Sequence, residues 1–285
     1  MPKIRVGDLT FHYWQSGSGP DVVLIHGLGG NLAGWHLTMV PELQRRYRVT
    51  TYDLRGHGRS DAPASGYSTR DMADDLKGLL EALGVGPACV VGHSWGADIA
   101  LHFALAHPQL VAELVLIEPG LLAPLSDLYR DKSWEGWPYV TGTLEQLLGA
   151  PIPADKRCDL EYLVRSLIEI PILYGPARGR LRDEEVLLRV LDVLMPVWNG
   201  KADGGELTLE ALSQIPHPTL VISEANSVFM AAHYELRDRL PRFTSAILPS
   251  GKLKHFTSLE HPELILRHID AFLQPDRGRV AMGGR

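Results

Sequence analysis

The sequence predicts an α/β fold with a mostly parallel central sheet and helices on both faces, and three observations predict it. Short apolar runs of strand length alternate with longer stretches whose apolar residues recur at helical spacing. One such run, Ala88-Cys89-Val90-Val91, leads through Gly92-His93-Ser94-Trp95-Gly96 into a helical pattern over residues 97–106. The alternation stops at Gly120 and resumes after Gly205.

Taken in order, residues 4–6 and 9–14 read as a hairpin turning at Gly7-Asp8. Residues 21–25 form an apolar strand running into His26-Gly27-Leu28-Gly29-Gly30. A helical pattern covers 32–46. A strand over 47–52 ends in Asp53-Leu54-Arg55-Gly56-His57-Gly58-Arg59-Ser60. Met72, Leu76, Leu79, Leu80 and Leu83 recur at helical spacing over 69–83. Residues 114–117 are the next buried strand. The stretch 120–205 has helical segments, Pro and Gly breaks and several aromatics, without a clear buried strand. It reads as a helical cap inserted between two sheet segments. Strands at 219–222 and 245–248 alternate with helices at 232–240 and 262–273. The expected division is a core of residues 1–119 and 206–273, a cap of 120–205, and a loose polar tail of 274–285.

The 285 residues suit one large α/β domain or a core with an insertion. The formal net charge of −6 favours neither nucleic acid nor an anionic membrane as partner. No run reaches the length of a membrane span, and the N-terminal residues lack the apolar stretch of a signal peptide. Two cysteines, Cys89 and Cys158, make no disulfide framework, so a cytoplasmic location is expected.

The stretch Gly92-His93-Ser94-Trp95-Gly96 is the G-x-S-x-G nucleophile elbow in its strand–turn–helix context. Backbone strain at the apex pushes the serine hydroxyl out above the sheet, and the flanking glycines avoid collisions with neighbouring elements. The competing reading is a tight turn whose serine only caps the helix. The loop His26-Gly27-Leu28-Gly29-Gly30 lacks the G-x-G-x-x-G of a dinucleotide site.

With these motifs in this order, and a late His255 before the last helix, the chain resembles the α/β-hydrolase family over nearly its whole length outside the cap. The Gly-His-x-Trp-Gly form of the elbow is similar to that of epoxide hydrolases and haloalkane dehalogenases. Those enzymes carry aspartate as nucleophile. Serine here argues against both activities and for acyl chemistry. The resemblance implies Ser94 as nucleophile, His255 as its base, and the backbone N–H groups of Leu28 and Trp95 as the oxyanion hole. His26, His57 and His93 sit in glycine-rich loops, where loop shape explains them. Asp53 and Arg55 belong to a motif that buttresses loops in this family.

The third member of the triad departs from the family's pattern. The acid usually follows the strand that is here 219–222, in the loop Ser223-Glu224-Ala225-Asn226-Ser227-Val228. Its slot holds Ser227 or Asn226, and neither stabilises an imidazolium as a carboxylate does. Glu118, at the end of the preceding central strand, is the favoured replacement, since some family members place the acid there. Glu224 is the rival.

The cap's aromatic and aliphatic residues favour an apolar group on the substrate, with Trp134, Trp137 and Trp198 as candidate binding residues. The same tryptophans also suit a core between cap helices. Arg178, Arg180 and Arg182 suit either an anionic substrate group or a solvated face. The expected function is a serine hydrolase of small or medium, largely apolar carboxylic esters, working on a small molecule without metal or organic cofactor. Lactonase, thioesterase and carbon–carbon bond hydrolase activities use the same parts. A lyase or cyclase, and a non-catalytic ligand-binding relative, stand behind them. The sequence leaves the oligomeric state open.

Overall fold

A computed structural model describes residues 2–166, 184–198, 205–251, 255 and 260–274. Its strands are β1 (Lys3–Val6), β2 (Leu9–Ser16), β3 (Asp21–Ile25), β4 (Arg48–Tyr52), β5 (Ala88–His93), β6 (Val111–Ile117), β7 (Thr219–Glu224) and β8 (Phe243–Leu248). They form one sheet in the order β1-β2-β4-β3-β5-β6-β7-β8. The β1–β2 and β2–β4 pairings are antiparallel, and every pairing from β4 to β8 is parallel.

The central strands are apolar throughout because both faces are covered. Val23, Ile25, Val90, Leu114, Leu116 and Val221 point to one side. Helices α3 (Thr69–Leu83) and α4 (Trp95–Ala106) pack there. Val22, Leu24, Cys89, Val91, Val115, Ile117 and Ile222 point to the other. There they meet α1 (Leu32–Thr38), α2 (Val40–Leu43) and α10 (Pro262–Leu273). This odd–even split is the two-residue period of a strand made visible.

The helix expected over 32–46 is instead the two short helices α1 and α2, which meet at Met39. Pro41 lies in the first turn of α2. Its missing N–H and its clash with the preceding turn disfavour one continuous helix. Strand β6 begins at Val111, three residues earlier than the apolar run alone suggests, beside a register shift at Ala88/Cys89. Helix α9 spans Met230–Arg239.

Between β6 and β7 the described residues form helices α5 (Ser126–Arg130), α6 (Trp137–Leu148), α7 (Leu160–Ser166) and α8 (Glu184–Trp198), and no strand. Arg189 of α8 ties this insertion to the core, donating to the carbonyls of Ala62 and Pro63 at 3.2 and 2.9 Å. The strand order reverses between β3 and β5, so a crevice opens at their carboxyl ends. Ser94, Leu28, Glu118 and the loop after β7 all lie at that end.

Candidate active site

The elbow is strained and its glycines are required. Ser94 has φ 55° and ψ −123° between β5 and α4, a region costly for any residue with a Cβ. Its N–H donates to the Ile117 carbonyl at 2.9 Å, fixing the turn to the end of β6. A Cβ at Gly92 would lie 2.3 Å from the Gly96 carbonyl oxygen, and one at Gly96 would lie 2.4 Å from that of Ile25. The helix therefore starts almost in contact with the sheet, and Trp95 is its first residue.

The loop after β3 approaches equally closely: a Cβ on Gly27 would meet the Ser94 Cβ at 3.1 Å. Two neutral imidazoles hold its shape. His26 donates from Nδ1 to the Gly27 carbonyl and accepts at Nε2 from the Leu54 N–H. His57 donates from Nδ1 to the Arg55 carbonyl and accepts at Nε2 from the Gly29 N–H. Asp53 accepts from the Leu32 and Arg59 amides and lies 2.6 Å from His12. Between these ties, the backbone N–H groups of Leu28 and Trp95 donate to no acceptor among the described residues. The Leu28 side chain reaches into the insertion and packs with Leu160, Val164, Leu191 and Met195.

Burial pushes His57 down to about 3, helped by neighbouring His26. Burial, helped by the charge of His255, pushes His93 down to about 4. A ring kept neutral by the fold but protonated when unfolded stabilises the protein above its unfolded value, and that stability is lost as pH falls. Each of these two rings is expected to withdraw about 2 kcal/mol between pH 7.5 and pH 5. Urea midpoints measured across that range should fall at constant m-value. A flat midpoint would contradict neutral, buried rings.

His255 lies against Ser94, with Nε2 2.8 Å from Oγ. Its backbone is held by His93, whose Nε2 donates to the His255 carbonyl at 2.9 Å. Its Nδ1 is 3.4 Å from Oε2 of Glu118. Glu118 is fully buried and has φ 52°. Oε1 accepts from the Glu224 backbone N–H and Oε2 from the Ser227 hydroxyl, both at 2.6 Å. Burial pushes this carboxyl up, but the hydrogen bond and charge of His255, the Ser227 hydroxyl and the Glu224 amide together hold it below its ordinary value.

Glu224 is not in a loop, as the sequence reading has it. Strand β7 continues through Ser223 and Glu224, which pair with Ile247 and Leu248 of β8. Its side chain is fully buried, and Oε2 accepts from the Gly251 N–H at 3.1 Å. The rival acid thus meets Glu118 through its main chain.

Three neighbours of the candidate site lie outside the sequence reading. Asp98 of α4 is buried and accepts from the Leu121 and Leu122 amides, both at 3.0 Å. Burial pushes it up to about 6, against the backbone hydrogen bonds. It grips the turn after Glu118, where Leu121 also has a positive φ of 48°. A lone carboxylate in the mostly apolar stretch 95–106 is the signal that marks it. Phe229 stands edge-on to His255 at 5.1 Å, and Tyr129 stands edge-on to Phe229 at 5.8 Å. Nothing in the sequence distinguishes these two rings.

Trp134 is half-buried and packs on Tyr129 at 4.8 Å, while Trp198 stacks on Tyr129 at 6.1 Å. Trp137 and Trp198 are buried in the main core. Arg178, Arg180 and Arg182 lie outside the described residues.

Comparison with known proteins adds a lineage to this geometry. A family model described as alpha/beta hydrolase fold matches residues 20–147. The 2-hydroxymuconate semialdehyde hydrolase of Pseudomonas sp. (strain CF600) is 30% identical over 280 residues, covering 95% of this chain and 93% of that protein. An uncharacterized Mycobacterium tuberculosis protein, Rv2715, is 41% identical over 105 residues, which is 37% of this chain. That match spans only 30% of the mycobacterial protein. Among solved structures, Est816, described as an N-acyl homoserine lactone degrading enzyme, superimposes with a TM-score of 0.68 at 27% identity. The alignment covers 95% of this chain and 100% of that one.

Proposed function

The chain belongs to the alpha/beta hydrolase family, and from that premise we propose that it is a serine hydrolase cleaving largely apolar carboxylic esters, lactones included. The observation that carries the reading is the strained Ser94 with its hydroxyl 2.8 Å from His255 Nε2. In this mechanism Ser94 attacks the acyl carbon while His255 takes its proton. The Leu28 and Trp95 amides stabilise the oxyanion. His255 returns the proton to the leaving alcohol, and water then releases the acyl group by the same steps. Glu118 keeps the ring proton on Nδ1 and stabilises the imidazolium. Helices α5–α8 serve as a cap, and Leu28, Trp134 and Phe229, all partly exposed, offer apolar walls. The substrate is a small molecule, the reaction needs no cofactor, and its setting is cytoplasmic.

A second reading, hydrolysis of a carbon–carbon bond, is favoured by the near full-length likeness to the Pseudomonas hydrolase.

Both are tested by one experiment: kcat/KM for p-nitrophenyl esters of rising acyl length, for acyl lactones and for 2-hydroxymuconate semialdehyde, with Ser94→Ala alongside. The expected result is an ester or lactone optimum that Ser94→Ala lowers by about 10⁴-fold or more. Preference for the semialdehyde would install the second reading. Turnover retained in Ser94→Ala would remove both.

A further inference from the structure

We infer that Ser227 is a positioning residue: its hydroxyl aims the Glu118 oxygen that faces His255. The inference rests on the serine-hydrolase reading above. Glu118 reaches His255 through Oε2, and Ser227 Oγ donates to that same oxygen at 2.6 Å. The other oxygen is fixed by a main-chain donor, the Glu224 N–H, which belongs to strand β7 and cannot turn away. A carboxylate with both oxygens gripped has one remaining rotational state.

The geometry also explains why a hydroxyl suits this place. A glutamate anchored at the end of β6, with positive φ, leaves room at position 227 for a short donor rather than a second acid. Two carboxylates sharing that space could not both ionise. Ser227 accepts as well as donates: its Oγ takes the Phe229 N–H at 3.1 Å. Phe229 is the ring lying edge-on to His255 at 5.1 Å. One hydroxyl therefore holds two of the groups that touch the imidazole. The Ser227 backbone is in turn held by its N–H to the Glu224 carbonyl at 3.0 Å, so the donor's own position is set by β7.

A purely structural serine would cap this turn and affect only folding. The two roles separate in the pH profile and in a double variant. Ser227→Ala is expected to lower kcat about tenfold, the effect of one hydrogen bond to a charged group, with KM within about twofold. Without that donor, Oε2 gives its whole acceptor strength to the imidazole, so the acidic limb of kcat/KM should move to higher pH. Most of that loss should disappear in a Glu118→Gln background, because the hydroxyl acts chiefly through that carboxylate and only the Phe229 contact remains to be lost. Ser227→Thr, which keeps the hydroxyl, should restore the wild-type limb.

The inference is overturned if Ser227→Ala keeps wild-type kcat. It is equally overturned if kcat falls while the acidic limb stays in place, or if the loss is undiminished beside Glu118→Gln. Ser94→Ala, run in parallel, separates this from failure of the parent reading. If Ser94→Ala retains turnover the serine-hydrolase reading has failed; if it is dead, only the role of Ser227 is in question.

Discussion

Glu118→Gln is expected to lower kcat by about 10³- to 10⁴-fold with little change in KM, the scale seen when a triad acid becomes its amide. The hydrogen bonds dictate this. Both glutamate oxygens accept, one from the Glu224 N–H and one from the Ser227 hydroxyl. An amide must place its NH₂ on one side. A backbone N–H cannot rotate, whereas a hydroxyl can, so the NH₂ takes the side of Ser227. That side also faces His255 Nδ1 at 3.4 Å. The imidazole must then accept at Nδ1 and carry its proton on Nε2, toward Ser94, where it cannot act as a base. Glu224→Gln leaves the main-chain N–H untouched and should stay within about threefold of wild type. The check is steady-state kinetics on both variants with the best substrate from the series. Equal losses in both, or a loss confined to Glu224→Gln, would reverse the assignment.

Asp98→Ala should destabilise the protein by about 3–5 kcal/mol and lower kcat as well. The substitution orphans the buried Leu121 amide and the part-buried Leu122 amide, and hydrogen bonds to a charged group are worth roughly 1.5–3 kcal/mol each. The freed turn starts three residues from Glu118 and contains the strained Leu121. Tyr129, whose hydroxyl donates to the Gly120 carbonyl at 2.7 Å, then holds that turn without Asp98. The pH dependence has a definite sign. Burial raises Asp98 to about 6, so the folded state binds more protons than the unfolded one between its ordinary value and 6. Its favourable contribution is greatest in acid and is lost as pH rises through 6. The stability gap between wild type and Asp98→Ala should shrink by about 1 kcal/mol from pH 5 to pH 8. A gap that widens with pH would contradict this burial. In wild type the effect partly offsets the opposite trend from His57 and His93.

The architecture was legible because its signals are local. A buried parallel strand declares itself as a short apolar run, and the helices around it declare themselves by spacing. The split at Met39 was missed because proline near a helix start is permissive, so Pro41 reads as either a first turn or a break. Within the site, the elbow and the late histidine were legible as motifs. Glu118 stands out only because the usual slot, Ser227 or Asn226, holds no carboxylate. What sequence does not carry is which strand continues and which side chain turns inward. Glu224 became a strand residue through its pairing with β8, a contact made by residues far along the chain. Tyr129 and Phe229 are defined by what they touch across the β6–α5 turn and the loop before α9, which no local pattern encodes.

Among the described residues the three hydrogen-bond partners of the Glu118 carboxylate, the Glu224 amide, the Ser227 hydroxyl and His255, all lie more than a hundred residues downstream of it. A growing chain exposes β6 well before it has made β7. Until residues 224–255 are made, the end of β6 holds an anion without these donors, and water must take their place. Docking of β7 beside β6 is therefore the step that brings the Glu224 amide to the acid. Such long loop closures are slow. The candidate site therefore gains its full set of contacts only after the segments that carry β7, Ser227 and His255 have been made.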